Sequence, residues 1–289
     1  MSNSTGPSAR CLFSLLCLSI IPASAQAPAD TVQFGWNRQA SGLLNLSQSY
    51  YDNWVKGGSD ALTWELNFQG AANLEREGFR FENKGKIAYG QTKIGDKGSR
   101  KSSDEWNLES IYTWKLGKWV NPFVSAVERS QFTAGYKYDD EAGTRALTSE
   151  FFDPAYFFQT AGAGITPVEN LKERLGVTLK ETFSADNGYA DDVETADEIE
   201  DFKIEYGLSS VTEYQITLME NILAATRLEV FVNFKGLEDV DGRWENRIIA
   251  KVNKLISVNL ELDMLYDIDQ SESGQTRESL SVGIAFLSL

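Results

Sequence analysis

The stretch Leu62-Thr-Trp64-Glu-Leu66-Asn-Phe68-Gln-Gly70-Ala-Ala72-Asn-Leu74 places apolar or small residues at every even position and, Ala71 excepted, polar residues between them. Successive side chains of an extended chain point to opposite faces, so this segment has one apolar face and one polar face. The pattern returns in Ile256, Val258, Leu260, Leu262, Met264 and Tyr266 against Ser257, Asn259, Glu261 and Asp263. It returns again in Phe202, Ile204, Tyr206 and Leu208 against Lys203, Glu205, Gly207 and Ser209. A chain that repeats it strand after strand has one face in an apolar medium and one in water, which predicts an all-β, antiparallel transmembrane β-barrel.

Reading outward from residue 62, the alternation predicts about twelve strands. They are Gly42 to Tyr51, Leu62 to Leu74, Phe79 to Gln91, Trp106 to Leu116, Trp119 to Thr133, Ala155 to Thr166, Leu171 to Phe183, Phe202 to Leu218, Ile222 to Lys235, Trp244 to Val252, Ile256 to Asp267 and Thr276 to Phe286. Connections after even-numbered strands are short: Glu75 to Gly78, Gly117-Lys118, Pro167 to Asn170, Glu220-Asn221 and Asn253-Lys254. Those after odd-numbered strands are long and polar: Asp52 to Ala61, Thr92 to Glu105, Ala134 to Pro154, Ser184 to Asp201, Gly236 to Arg243 and Ile268 to Gln275. Short periplasmic turns on one rim and longer extracellular loops on the other are the organisation of an outer-membrane barrel, and an even strand count puts both termini in the periplasm. A soluble sandwich also alternates, but has no reason to sort its loops by parity. Trp54, Trp106, Trp114, Trp119, Trp244, Tyr112, Tyr206, Tyr214 and Tyr266 lie mostly near strand ends, where rings with a polar edge suit the headgroup level.

The N-terminus supplies the route. Arg10 precedes the apolar run Cys11 to Ile21, which ends in Pro22-Ala23-Ser24-Ala25-Gln26-Ala27, and this predicts a secretory signal peptide over residues 1–25 with cleavage near 25–27. A periplasmic segment over 26–41 and a barrel domain over 42–289 follow. Leu16 before Cys17 is not the small residue of a lipoprotein signal, and both cysteines leave with the leader, so the mature chain carries no thiol chemistry.

Composition narrows the function classes. The 289 residues include no histidine, which removes the commonest general base and metal ligand and makes an outer-membrane lipase or acyltransferase the weakest reading. A net charge of -15 argues against nucleic acid as a partner. The mean hydropathy of -0.31 is compatible with a barrel, which shows only alternate residues to lipid. No cofactor is implied.

Several ordered segments carry a family resemblance. Asn45 to Gly58 (NLSQSYYDNWVKGG), Lys86 to Gly90 with Gly95-Asp96, Gln131 to Tyr136, Phe152 to Tyr156, Met219-Glu220-Asn221 and Lys251 to Lys254 resemble successive signatures of the domain of unknown function 3078 family, from roughly Gly42 to Phe286. The resemblance implies a bacterial outer-membrane β-barrel and brings no substrate or catalytic residues. The chain departs from the usual aromatic ending of such barrels, since Leu289 is last; Phe286 is then the aromatic residue offered to the insertion machinery.

With the apolar parity outward, the lumen receives Glu65, Arg80, Glu82, Lys84, Lys86, Glu109, Lys203, Glu205, Arg227, Glu229, Arg247, Glu261 and Asp263, together with Lys115, Lys172, Arg174, Lys180, Glu213, Glu245, Lys251 and Asp267. Facing hydrocarbon at the midplane, each of the cations would cost roughly 2 to 4 kcal/mol, so they line water or pair with one another. Two readings follow: a passive channel for small polar solutes or ions, or a non-conducting structural or surface-interaction barrel. The partners expected are outer-membrane lipids, lipopolysaccharide and the insertion machinery. Asp186 to Asp201 holds eight acidic residues and no basic one; it reads as a solvated loop whose carboxylates also suit divalent cations bridging to lipopolysaccharide. The remaining matches fail on context. Gly90 to Gly95 has P-loop glycine spacing but Asp96 follows, and Asp239-Val-Asp241-Gly242 resembles part of an EF-hand loop with Leu237 in place of the first ligand. Gly57-Gly58 reads as a tight turn in the first long loop.

Overall fold

The computed structural model describes residues 34–52, 59–168, 170–185, 187–191, 200–236, 240–267, 270 and 273–288. The predicted leader, residues 26–33 of the predicted periplasmic segment, Trp54, Gly57, Gly58, Leu237, Asp239, the centre of the acidic loop and Leu289 lie outside these residues.

Among the described residues there are fourteen strands: β1 (Gly35–Ser49), β2 (Ala61–Glu75), β3 (Phe79–Ile94), β4 (Ser99–Trp114), β5 (Val120–Ser130), β6 (Gly135–Asp139), β7 (Thr144–Ser149), β8 (Ala155–Val168), β9 (Leu171–Phe183), β10 (Phe202–Met219), β11 (Ile222–Asn233), β12 (Val240–Lys251), β13 (Ile256–Tyr266) and β14 (Gln275–Ser288). Twelve of them close into a barrel in the order β1-β14-β13-β12-β11-β10-β9-β8-β5-β4-β3-β2, and β6 and β7 form a separate hairpin. Every barrel pair is antiparallel, as direct turns between sequential neighbours require.

Burial is inverted relative to a water-soluble protein. On β9, Val177 is 53% exposed whereas Lys180, three residues on, is 1% exposed and is the largest fully buried side chain. Leu66, Phe68, Leu108, Leu175, Leu208 and Leu280 likewise point outward, and Asn67, Glu109, Glu205 and Asn259 are buried. The outward polar residues of β9 sit at its ends: Glu173 accepts hydrogen bonds from Ser210 and Thr212, and Glu181 accepts one from Gln159 at 2.9 Å. At about 3.3 Å per residue and a tilt near 40°, these two carboxylates stand roughly 20 Å apart along the axis, close to the height of a bilayer's apolar band. Leu175, Val177 and Leu179 fill the wall between them.

Two close approaches need glycine. Asn259 donates to Asn45 at 3.1 Å across β14, and a Cβ on Gly283 beneath them would lie 2.5 Å from Asn259 Nδ2 and 3.0 Å from Asn45 Oδ1. A Cβ on Gly162 would fall 2.0 Å from the Leu175 carbonyl oxygen.

Differences from the sequence reading are local. β1 begins at Gly35, so the wall takes in residues that 26–41 assigned to a periplasmic segment. The predicted long loop Thr92 to Glu105 is mostly strand: β3 runs to Ile94, β4 starts at Ser99, and Gly95 and Gly98 take positive φ in the turn between them. Those strand ends carry polar residues on both faces, and period-two hydrophobicity is the wrong signal for sheet that stands in water. The loop Ala134 to Pro154 contains the β6–β7 hairpin for the same reason. β12 starts at Val240, which moves Asp241 and Arg243 from loop to wall.

Candidate functional site

The alternation that makes the outer face apolar delivers charged residues inward from nearly every strand, and closure brings distant parts of the chain face to face. At mid-height six of them form one belt. Arg227 on β11 donates to Glu109 on β4 at 3.0 Å and to Glu229 at 2.6 Å, and also to Glu213 on β10. Arg174 on β9 reaches Glu109 at 2.8 Å and Glu213 at 3.4 Å, and Lys84 on β3 reaches Glu213 at 3.1 Å. β4 and β11 are not sheet neighbours, so these bonds cross the interior.

Further bridges lie on either side. Toward the long-loop rim, Arg243 on β12 donates to Glu105 on β4 at 2.7 Å, and Lys86 reaches the same carboxylate at 2.8 Å. Arg129 pairs with Glu229 at 2.7 Å, and Arg277 with Asp263 at 2.6 Å. Lys180 sits between Asp241 at 2.6 Å and Glu205 at 3.1 Å. Toward the short-turn rim, Lys172 reaches Glu82 at 3.2 Å and Arg80 reaches Glu75 at 2.7 Å.

Of the other sequence-predicted lumen residues, Glu65 accepts from Asn45 at 3.3 Å, Lys203 lies 3.8 Å from Glu205, and Glu261 lies 3.9 Å from Arg277. Arg247 makes no hydrogen bond or ion pair among the described residues, and its Nε is buried. Sequence reasoning missed Glu105, Arg129, Asp241, Arg243 and Arg277. Glu105, Asp241 and Arg243 had been placed in loops; Arg129 and Arg277 share the inward parity of their strands and were legible from it. Asp241 lies on β12 and answers Lys180. Among the described residues no group of three or more His, Cys, Asp or Glu is arranged to hold a metal ion.

Among the described residues the interior holds a cavity on each side of the belt. One, about 540 Å³, opens among strand ends on the long-loop side and is lined by Ser103, Arg129, Tyr156, Asp241 and Arg277. The other, about 900 Å³, lies on the short-turn side among Gln39, Gln69, Lys84, Lys172 and Arg247. Glu109 and Arg227 line both. The belt is therefore the partition between two vestibules.

The long-loop rim is tied down outside the wall. Asp104 accepts from the backbone amides of Phe132 at 2.9 Å and Thr133 at 2.8 Å, and Lys101 donates to the Thr133 carbonyl at 2.8 Å. Ser184 donates to Asp153 at 2.8 Å and Tyr189 to the Thr148 carbonyl at 3.0 Å, joining the two longest loops. At the hairpin tip Asp140 is held between Arg100 and Lys97, the latter at 2.7 Å. The Arg100 hydrogen bond and then that of Lys97 hold its pKa down to about 2.

Among solved structures the chain is similar to the translocator domain of the autotransporter NalP from Neisseria meningitidis, at 10% identity and TM-score 0.39 over 89% of this chain and 90% of that one. It is also similar to an outer membrane channel from Pseudomonas putida F1, at 10% identity and TM-score 0.41 over 91% and 100%. A third is OprB of Pseudomonas putida, at 8% identity and TM-score 0.33 over 88% and 94%. No curated protein matches the chain. Residues 46–136, from the end of β1 into β6, match the model of the family described as Protein of unknown function (DUF3078), which bears out over that segment the family resemblance carried by the motifs Leu46 to Gly58, Lys86 to Asp96 and Gln131 to Tyr136.

Proposed function

We propose that the protein is a non-enzymatic outer-membrane barrel that passes small polar solutes or ions through a charged constriction. The apolar outer wall, the loop lengths and the predicted leader support the location. One observation carries the transport reading: a vestibule enters from each rim, and the two meet at the same pair of charged side chains, Glu109 and Arg227. Pore-lining charge decides which ions enter, and a constriction built from paired ions of both signs favours small polar species over bulky or apolar ones.

Single-channel recording on the refolded protein in a planar bilayer tests it. Small, discrete conductance steps are expected. A folded, membrane-inserted barrel that gives none would leave the non-conducting structural barrel as the better account. Orientation is tested separately: an epitope inserted after Asp191 should be reached by antibody on intact cells, and one beside Asn170 only after the outer membrane is permeabilised. The opposite labelling would overturn the topology.

A further inference from the structure

We infer that the constriction is suited to small zwitterions, the chemical class of free amino acids, and passes them in preference to uncharged polar solutes of the same size. The inference deepens the channel reading and rests on it.

Charge balance sets the lumen apart from the rest of the chain. The protein carries a net charge of -15, yet among the described residues the two cavities together are lined by ten carboxylates and ten cations. A path that recruited cations would bring that acidic excess to its walls, since fixed charge of one sign decides which ions enter. Here the excess stands elsewhere. The belt itself sets three cations, Lys84, Arg174 and Arg227, against three carboxylates, Glu109, Glu213 and Glu229.

Arg227 and Glu109 meet across the lumen at 3.0 Å and line both cavities, so a solute passing from one cavity to the other at this point has to part them. A lone cation entering there compensates Glu109 and leaves Arg227 one carboxylate short. A lone anion does the reverse, and an uncompensated charge is costly away from bulk water. An uncharged solute offers both groups only neutral hydrogen bonds, roughly half as strong as charge-assisted ones. A molecule that carries a carboxylate and an ammonium close together replaces both partners at once, with no change in net charge. Each side of the lumen presents both signs: Lys84 and Glu109 on β3 and β4, and Arg174, Glu213 and Arg227 on β9 to β11. Such a molecule therefore finds a partner for each end in either orientation.

The test uses liposomes holding the refolded full barrel, moved into isosmotic glycine or into glycolamide, its uncharged isomer, with swelling followed by light scattering. Wild type is expected to admit glycine about threefold faster or more, a modest share of the difference between charge-assisted and neutral hydrogen bonds. Glu109→Gln leaves a cation in excess in the belt and Arg227→Gln a carboxylate. Each should bring the ratio of rates close to one, with the reversal potential in planar bilayers moving toward anions in the first and toward cations in the second. Folding of each variant is read from its shift in gel migration on boiling, and the wild-type comparison stands by itself if a variant does not fold. Equal entry of the two isomers into wild-type liposomes, faster entry of glycolamide, no entry of glycine, or an unchanged ratio in either folded variant would overturn the inference. Discrete conductance steps alongside any of these results leave the channel reading standing, whereas neither swelling nor conductance removes both.

Discussion

Replacing Arg227 with methionine removes the hub of the belt while keeping most of its volume, and the cost can be worked from the partners left behind. Glu109 keeps Arg174 at 2.8 Å and Lys84 at 3.9 Å. Glu213 keeps Lys84 at 3.1 Å, and Glu229 keeps Arg129 at 2.7 Å. Breaking a buried ion pair by deleting one partner costs roughly 3 to 5 kcal/mol when the other charge is stranded. Here every carboxylate retains a cation and the vestibules bring water to its edge, so about 3 kcal/mol is expected. In the double variant Arg227→Met/Glu109→Gln one of the three carboxylates is also neutralised. The two changes then fall short of additive by about 1 to 2 kcal/mol, the size of coupling seen between contacting residues. Urea unfolding of the lipid-inserted barrel, followed by tryptophan fluorescence, measures both quantities. A single-variant cost below about 1 kcal/mol with unchanged denaturant dependence would refute the reasoning, because it would mean that lumen water alone solvates these carboxylates.

Changing Lys84 and Lys86 together to glutamate places new negative charge beside Glu213 and Glu105. A conducting lumen should then shift its reversal potential toward cation selectivity, while a closed interior should show only a lowered unfolding midpoint; neither effect would mean that these lysines do not face the lumen. Gly162→Ala drives a methyl into the Leu175 carbonyl, where backbone rather than a flexible side chain must yield, so a loss of about 2 kcal/mol or more in unfolding free energy is expected. The Asp140 tether obeys the sign for a carboxyl with a depressed pKa. It persists as pH falls through the usual carboxylate range and is lost as pH approaches about 2, so a pair of spin labels at Asp96 and Glu141 should hold its separation down to about pH 4 and widen below.

Much of the wall was legible because the bilayer imposes a strict period. β9 has the predicted bounds, Leu171 and Phe183, since Leu175 and Val177 alternate with Arg174 and Thr178 across its whole length. The same signal fails where lipid ends. β3 and β4 continue past it with Gln91, Thr92, Arg100 and Lys101, where no apolar face is required, and in the β6–β7 hairpin the strand β6 is only five residues long, Gly135–Asp139, too short for its Tyr136 and Tyr138 to stand out as a period. The lumen charges could be assigned a face from parity alone, but not a partner. Glu109 and Arg227 stand 118 positions apart in the chain, and their meeting depends on how many strands intervene and how the sheet closes. That Arg247, alone among the described arginines of the inner wall, has no carboxylate within ion-pair distance could not be read from parity either.

The transverse bonds also bear on how the barrel is assembled. They tie β3 and β4 from the first half of the chain to β10, β11 and β12 from the second, while the β1–β14 seam joins the two ends. A sheet that has not yet curled cannot make any of them, and its inner face is a run of solvated ions that keeps water against the growing wall. Once the seam shuts, those ions lose bulk water and find one another in the same event. Closure is therefore the step at which these distant charges must exchange water for one another, and the long-range pairing it requires is the slow kind to form. The transverse network can engage only on a full ring of strands.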